Sequence, residues 1–103
     1  MDISISENQE KKRFETQVEN KWAFIEYIRT QEKMYLTHTE VPTSLEGNGI
    51  GSTLVKHALK HIEKESLKLV PLCPFVAGYI KRHPEYKELL AEGYTIKEED
   101  PTN

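Results

Sequence analysis

The sequence has one cysteine, no long hydrophobic run and no excess of basic charge. A single cysteine excludes an internal disulfide, and no run approaches the roughly 20 apolar residues that are needed to span a bilayer. The N-terminal Met-Asp-Ile-Ser-Ile-Ser-Glu has neither a basic leader nor an apolar signal core, so we expect a cytoplasmic protein that does not bind membranes. A net charge of −3 and a pI near 5.8 argue against nucleic-acid binding, which normally requires a basic face.

The length and composition suit one compact domain. The chain has 103 residues, of which 37% are hydrophobic and 30% charged, and this is enough for a single core. We assign residues 1–96 to that domain, with residues 93–96 as a last edge strand or an irregular tail. Charge and proline replace apolar residues over positions 97–103, which predicts a disordered C-terminal tail.

Strand patterns occupy the first half of the chain. Weak alternation over residues 3–5 and 13–18 predicts half-buried strands, and the aromatic and β-branched run 22–30 predicts a more central one. Residues 34–41 form the next predicted strand, which ends at Pro42 because proline cannot extend a hydrogen-bonded ladder. The short links between these runs imply antiparallel neighbours.

Helical periodicity dominates the second half. Apolar residues recur at a four-residue step over residues 49–65, which predicts an amphipathic helix, and the apolar run 67–72 predicts a buried strand after it. Strand, helix and strand with short links form a parallel crossover, in which Pro71 suits an edge or a point where pairing ceases. Further helices are predicted over residues 75–82 and 85–90.

A glycine-rich turn separates the predicted strand 34–41 from the helix that follows. It reads Glu46-Gly47-Asn48-Gly49-Ile50-Gly51-Ser52. Glycine removes the Cβ atoms that keep a ligand away and permits positive φ, so successive N–H groups can point at one spot. Because a helix starts within the turn, its dipole would attract the same anion, most naturally a phosphate or pyrophosphate. A flexible turn that only reverses the chain is the alternative.

Two common phosphate-binding loops do not fit this turn. A Walker-type loop needs a Gly-Lys-Ser/Thr step, whereas Gly51 is followed by Ser52 and Thr53. A dinucleotide fingerprint needs Gly-x-Gly-x-x-Gly after a first parallel strand and an acid at the end of the next one. Here the pattern is Gly-x-Gly-x-Gly, and the next strand ends at Leu72 and Cys73. The remaining familiar use of such a turn is to bind the pyrophosphate of coenzyme A.

Four segments carry a family resemblance. They read His38-Thr-Glu-Val-Pro42, Glu46-Gly-Asn-Gly-Ile-Gly51, Pro71-Leu-Cys-Pro-Phe75 and Tyr79-Ile-Lys-Arg-His-Pro-Glu-Tyr86. Together they resemble a small, stand-alone member of the GNAT superfamily of acyl-CoA-dependent N-acyltransferases, over most of the chain after about Trp22. The superfamily signature Gln/Arg-x-x-Gly-x-Gly/Ala falls on Glu46, Gly49 and Gly51, and Glu46 departs from it by placing a carboxylate there.

The resemblance implies a fold and a co-substrate. The fold is a twisted mixed α+β sheet with antiparallel N-terminal strands, one splayed parallel pair and flanking helices. The co-substrate is acetyl-CoA, without a metal, and the acceptor is an unidentified amine on a small molecule or peptide. The cofactor-binding residues would be Thr39 and Val41 for pantetheine and Gly47, Asn48, Gly49, Ile50, Gly51 and Ser52 for pyrophosphate. Because the chain is shorter than usual for the superfamily, we expect an open acceptor site.

Acyl transfer to an amine needs a group that removes the ammonium proton. His38 and Glu40 lie two apart on one strand, hence on the same face, near the expected splay. Either could accept the proton directly or through water, and the pKa range of histidine suits the task. The alternative is a hydrogen-bonded sheet residue at His38 and a solvated one at Glu40.

Protonation of the departing thiolate needs a second group. Cys73 follows the second parallel strand and could donate this proton, bond the acyl carbonyl, or accept the acyl group with His38 as its base; a small buried apolar residue is the alternative. Tyr79 resembles the tyrosine that lies near the cofactor sulfur in many GNATs, and its alternative is a core aromatic. Arg82 and His83 could meet the nucleotide phosphate or simply end a helix in solvent.

These residues favour an N-acetyltransferase that works by direct attack of the amine. A non-catalytic module that binds coenzyme A or acyl-CoA is the second hypothesis, and a protein-interaction domain that uses the sheet edge is the third. We expect a monomer or a weak dimer. The pair His57 and His61 has no third ligand, so a metal site is not expected. Valine at Gly49 or Gly51 is expected to abolish acetyl-CoA binding by adding Cβ bulk and forbidding positive φ.

Overall fold

The computed structural model describes residues 3–95 as a five-stranded sheet with two α-helices and two 3₁₀ helices. The strands are β1 (Ser6–Asn8), β2 (Arg13–Val18), β3 (Lys21–Arg29), β4 (Lys33–Glu40) and β5 (Lys68–Pro71), the α-helices are α1 (Ile50–Lys64) and α2 (Pro74–Arg82), and the 3₁₀ helices span Thr43–Leu45 and Pro84–Leu89. The sheet order is β1-β2-β3-β4-β5. The first four strands pair antiparallel, and β4 pairs parallel with β5. This confirms the predicted mixed α+β fold.

One face of the sheet packs on the helices. Alternate residues of β2 and β3, such as Phe14 and Ile25, are fully buried and belong to one core cluster with the apolar residues of α1 and α2. The predicted four-residue step of α1 is confirmed, because Ile50, Leu54, Ala58 and Ile62 are all buried. Burying one such leucine stabilises the fold by about 1.5–3 kcal/mol.

The predicted first strand over residues 3–5 is wrong, because the pairing with β2 begins later. The paired residues are Ser6, Glu7 and Asn8, and Asn8 also donates a side-chain hydrogen bond of 3.2 Å to Glu15. Ile3 and Ile5 instead pack as partly buried residues against the core. All three residues of this strand are polar, so a search for apolar alternation does not detect it.

The C-terminal part differs from the prediction in detail. The helix predicted over residues 85–90 is a 3₁₀ helix, Pro84–Leu89. Beyond it, the chain runs beside β5 through the backbone hydrogen bond from Ala91 to Leu69, 2.9 Å long, and residues 93–95 form no strand. Residue 96 and the predicted tail 97–103 lie outside the described residues. None of the helices in the described part is long and apolar enough to cross a membrane.

Strand β4 contains one extra residue opposite β3. Glu26 pairs with His38, but the next residue, Tyr27, pairs with Leu36, so Thr37 is the bulged residue. Its hydroxyl donates a 3.3 Å hydrogen bond to the Glu26 carbonyl. Bulges re-aim the side chains that follow them. Simple alternation from buried Leu36 would place His38 on the helix-covered face, whereas the bulge places it on the opposite one.

Candidate functional site

The candidate site lies where β4 and β5 separate. Their last pair is Leu36 with Pro71, and β5 is the edge strand of the sheet, so the prediction for Pro71 is confirmed. The chain then bends into α2, with one further hydrogen bond of 2.9 Å from the Cys73 N–H to the Leu36 carbonyl. Strand β4 continues to Glu40 without a β5 partner. Its edge is therefore open over the residues at which pantetheine binding was expected.

A groove of about 490 Å³ opens at this end of β4. Its walls come from three parts of the chain: the end of β4, the glycine-rich turn with the start of α1, and the first turn of α2. The lining residues are His38, Thr39, Glu40, Val41, Leu45, Glu46, Gly47, Gly49, Ile50, Gly51, Ser52 and Phe75. The structure thus brings together nine of the residues that the sequence nominated for cofactor binding or catalysis.

The glycine-rich turn presents a row of free backbone donors. Gly47 and Gly49 have φ of 87° and 73°, a conformation that glycine adopts without strain. Within the described residues, none of the backbone N–H groups of residues 47–52 donates a hydrogen bond. The first turn of α1 also has no acidic residue and no side-chain cap. Unbonded donors at the positive end of a helix suit an anion.

Gly51 is glycine for a different reason. It lies inside α1 without a positive φ, and a Cβ atom there would stand 2.8 Å from Cζ of Phe75. The expectation that Gly51 needs positive φ is therefore wrong, and the bulk of an added side chain is the one reason that remains for the predicted loss of acetyl-CoA binding. Phe75 is half exposed and closes one side of the groove, so it is a lining residue as well as a packing residue.

Two polar side chains of the turn have distinct positions. The Asn48 amide donates a 2.9 Å hydrogen bond back to the Leu45 carbonyl, which holds the turn together, and Asn48 does not line the groove. Glu46 is exposed and lines the groove, so its carboxylate faces the same space as the free N–H groups.

His38 and Glu40 form a solvent-facing pair. His38 Nε2 lies 3.6 Å from Glu40 Oε1, and the two side chains are 54% and 59% exposed. The His38 ring also lies edge-on to Phe24, with centroids 6.3 Å apart. Both residues line the groove, as proton acceptors for an incoming amine would need to.

Cys73 is placed differently from His38. The thiol is buried, 4% exposed, and its sulfur lies 3.6 Å from the Thr39 hydroxyl oxygen. Cross-strand partners lie on the same face of a sheet. Thr39 pairs with buried Ile25 and therefore lies on the helix-covered face, whereas His38 pairs with Glu26 and lies on the opposite face. His38 is therefore separated from the thiol by the sheet, and the expected pairing of His38 as base with Cys73 as nucleophile is wrong.

Tyr79 and the two basic candidates lie along α2 and its end. Tyr79 is 6% exposed and stacks on the His83 ring with centroids 4.2 Å apart. Burial, with smaller contributions from Tyr86 and Glu85, raises the pKa of Tyr79 above its ordinary value, so its hydroxyl stays protonated. Arg82 is exposed at the last turn of α2. None of these three candidates lines the groove.

The histidine pair of α1 belongs to the core boundary. The rings of His57 and His61 both meet Phe14 edge-on, at centroid distances of 5.2 and 5.1 Å. Within residues 3–95, no group of three His, Cys, Asp or Glu side chains is placed to hold a metal ion.

Comparisons with known proteins agree with this geometry. Residues 13–89, more than half of the chain, match the family model described as GCN5-related N-acetyl-transferase. The chain belongs to the GCN5-related N-acetyltransferase family, abbreviated GNAT. Its fold is similar to that of a Staphylococcus aureus protein that was solved by NMR in solution and described as a candidate GCN5-like N-acetyltransferase. The TM-score is 0.66 at 24% identity, over 85% of this chain and 87% of the other.

Within this GNAT domain, sequence reasoning missed two features of the site. The first is Phe75 as a wall of the groove. The sequence signal for it was a large aromatic residue two positions after Cys73, together with a glycine at position 51 that leaves room for the ring. The second is the bulge at Thr37, which determines that Thr39, and not His38, meets the thiol. A bulge depends on the register of two strands, and the sequence around Thr37 contains no local pattern that predicts this one.

Proposed function

We propose that this GNAT protein transfers the acetyl group of acetyl-CoA to an amine by direct attack. The observation that carries the proposal is the row of free N–H groups over residues 47–52 at the start of α1, beside the open edge of β4. The donors suit a pyrophosphate, and the open strand edge suits the amides of pantetheine, which can bond to it as an added strand would. The single cysteine is compatible with the reducing cytoplasm.

Each candidate side chain has a proposed task in this groove. His38 or Glu40 takes the proton from the ammonium form of the acceptor, directly or through one water. We place the acetyl group at the open edge of β4, which His38 and Glu40 border from one face of the sheet and Thr39 and Cys73 from the other. The thiol is proposed as proton donor to the leaving thiolate or as pocket lining. Tyr79 is the second candidate for the proton donor, since burial keeps it protonated.

A binding module without turnover is the competing function. It is favoured by one observation: Cys73 and Tyr79, the two proton-donor candidates, are buried and do not line the groove. In that case the protein would hold coenzyme A or an acyl-CoA and report its presence to a partner.

One pair of assays separates these functions. Calorimetry with acetyl-CoA measures binding, and thiol detection measures acetyl transfer to a panel of polyamines and short peptides. The transferase predicts binding together with thiol release that depends on the amine. Binding without amine-dependent release would support the module, and no binding would contradict both.

A further inference from the structure

A second groove, of about 280 Å³, lies between α1 and the N-terminal segment of the chain. The described residues that line it are Ile3, Ile5, Thr53, Lys56, His57 and Lys60. Two of them are lysines and none is an acid, so we call it the basic groove. None of the residues assigned so far to acetyl-CoA or to proton transfer lines it.

The polar residues of the basic groove form one stripe along α1. Thr53, Lys56, His57 and Lys60 follow one another at steps of three, one and three residues, which place side chains on one face of a helix. The buried apolar residues of α1 fix the opposite face against the core. The two isoleucines are partly buried and form the apolar wall of the groove.

The charges of the two lysines have no counter-charge. Lys56 and Lys60 are exposed, and neither makes a hydrogen bond or an ion pair within the part of the chain that the structure describes. Glu7 acts electrostatically on His57, but it does not line the groove, and its carboxylate accepts a hydrogen bond from the Tyr27 hydroxyl. Two neighbouring cations without a counter-charge favour a ligand with about two negative charges.

A phosphate monoester has the charge that this pair of lysines requires. It has a charge of about −1.5 to −2 near neutral pH and three oxygens that accept hydrogen bonds, whereas a carboxylate has a single charge. Each lysine ammonium has three donors on a flexible stem, so Lys56 and Lys60, one helical turn apart, can both reach one phosphate. The groove is slightly smaller than the roughly 300 Å³ at which small-molecule sites begin, which suits a phosphate with its sugar better than a whole nucleotide.

The basic groove continues from the groove of the candidate site. Ser52 lines the candidate site, and Lys56 lies one turn later on the same side of α1, which is a rise of about 5.4 Å. Arg82, in contrast, lies seven residues along α2 from the Phe75 wall, which corresponds to about 10 Å. The sequence nominated Arg82 and His83 for the nucleotide phosphate, but neither lines either groove.

We propose that the basic groove binds a phosphate monoester through Lys56 and Lys60. Two sources have this chemistry. One is the 3′-phosphate on the ribose of a coenzyme A whose pyrophosphate lies at residues 47–52, and in this form the inference rests on the proposed function. The other is a separate sugar phosphate that binds without coenzyme A.

The test compares coenzyme A with dephospho-coenzyme A, which lacks only the 3′-phosphate, by calorimetry on the whole protein. Ribose 5-phosphate is the probe for a separate ligand, and its titration is followed by backbone amide NMR. Lys56→Gln and Lys60→Gln each remove one charge from the basic groove. Lys64→Gln is the matched control, because Lys64 is an exposed lysine in the last turn of the same helix and lines neither groove.

If coenzyme A is the source, the protein should bind it about threefold to tenfold more tightly than dephospho-coenzyme A, as expected for contacts with two exposed lysines. The preference should shrink at high salt. Lys56→Gln and Lys60→Gln should each reduce the preference and leave the affinity for dephospho-coenzyme A unchanged, whereas Lys64→Gln should keep the preference.

If a separate sugar phosphate is the source, coenzyme A and dephospho-coenzyme A should bind equally. Ribose 5-phosphate should then give saturable shifts at the amides of residues 53–60, and Lys56→Gln should weaken them.

The proposal is overturned if neither the preference for coenzyme A nor the binding of ribose 5-phosphate depends on Lys56 and Lys60. An equally large effect of Lys64→Gln would also overturn it, because the charges would then act only at long range. If neither form of coenzyme A binds, the proposed transferase function falls, and the response to ribose 5-phosphate alone decides whether the basic groove stands.

Discussion

Phe75 and Gly51 are in direct contact, and this contact joins the first turns of the two α-helices. A Cβ atom on Gly51 would lie 2.8 Å from Cζ of the Phe75 ring. Since real Cβ atoms do not approach other atoms so closely, any side chain at position 51 must displace the ring. The ring is one wall of the groove, so the packing of α1 on α2 and the shape of the groove depend on each other.

We expect Gly51→Ala to weaken acetyl-CoA binding by moving Phe75, although alanine favours a helix by about 1 kcal/mol relative to glycine. The measurement is a double-mutant cycle with Phe75→Ala, followed by calorimetry. Removing the ring should remove the penalty of the added Cβ, so the two effects should not add. Additive losses would show that the contact does not control the groove.

Gly49 should respond to substitution through its backbone. It caps α1 with φ of 73°, and a Cβ there would meet no atom within 4 Å. A left-handed conformation costs other residues about 1–2 kcal/mol, and a β-branched residue such as valine hardly ever adopts it, so Gly49→Val should force the turn out of its shape and abolish acetyl-CoA binding.

Gly49→Asn is the matched control, because asparagine adopts this conformation more readily than other residues do. It should retain most of the affinity. An unchanged affinity in a folded Gly49→Val protein would contradict the phosphate-loop interpretation.

Glu46 should oppose the binding of an anion in the groove. Its exposed carboxylate lines the same space as the free N–H groups. Glu46→Gln should tighten acetyl-CoA binding at low salt by about twofold to fivefold, as expected for one exposed charge, and the gain should shrink as salt is added. A loss of affinity would show instead that Glu46 orders the turn.

Cys73 distinguishes direct attack from a covalent route. Its only described side-chain partner is the Thr39 hydroxyl at 3.6 Å, which is not a base that would form a thiolate. We therefore expect no acetyl adduct on the protein after mixing with acetyl-CoA. Cys73→Ala should lower turnover and keep the cofactor affinity.

Intact-protein mass spectrometry checks this expectation, with hydroxylamine treatment to identify a thioester. A single acetyl group on Cys73 that passes to an amine as fast as the overall reaction would establish the covalent route.

His57 should make the folded protein less stable in acid. Burial, and then the neighbouring His61, lower the pKa of His57 below its ordinary value of 6.5. A lowered pKa means that the unfolded chain binds the proton more tightly. The folded state therefore keeps its full stability above pH 6.5, and loses stability as the pH falls below it until the folded pKa is passed.

Urea unfolding between about pH 7.5 and pH 5.5 measures this loss. His57→Leu should reduce the dependence on pH, because it removes the titrating group. An equal decline in both proteins would show that other groups cause it.

The sequence predicted the features that depend on local pattern. The helix expected over residues 49–65 is Ile50–Lys64, because each of its buried positions follows from helical periodicity. The parallel pair of β4 and β5 follows from the short links around that helix. The glycine-rich turn was predictable from the spacing of its glycines, and its place in the groove follows from its position between β4 and α1.

The features that were missed depend on register and on contacts between distant segments. The bulge at Thr37 is defined by the pairing of β4 with β3, and it places His38 on the sheet face that the helices do not cover. The contact of Phe75 with Gly51 joins residues on two helices, and the contact of Cys73 with Thr39 crosses the gap between two strands. No regular spacing of residues along the sequence predicts the bulge or either of these two contacts.

The most direct test of the central claim is an acetyl-CoA titration followed by backbone amide NMR. We predict that saturable shifts concentrate at the amides of residues 47–52 and at the open edge of β4, since those N–H groups donate no hydrogen bond within the described structure. Amides at the far end of α1 should remain unshifted. Saturable binding that left the amides of residues 47–52 unchanged would contradict the account.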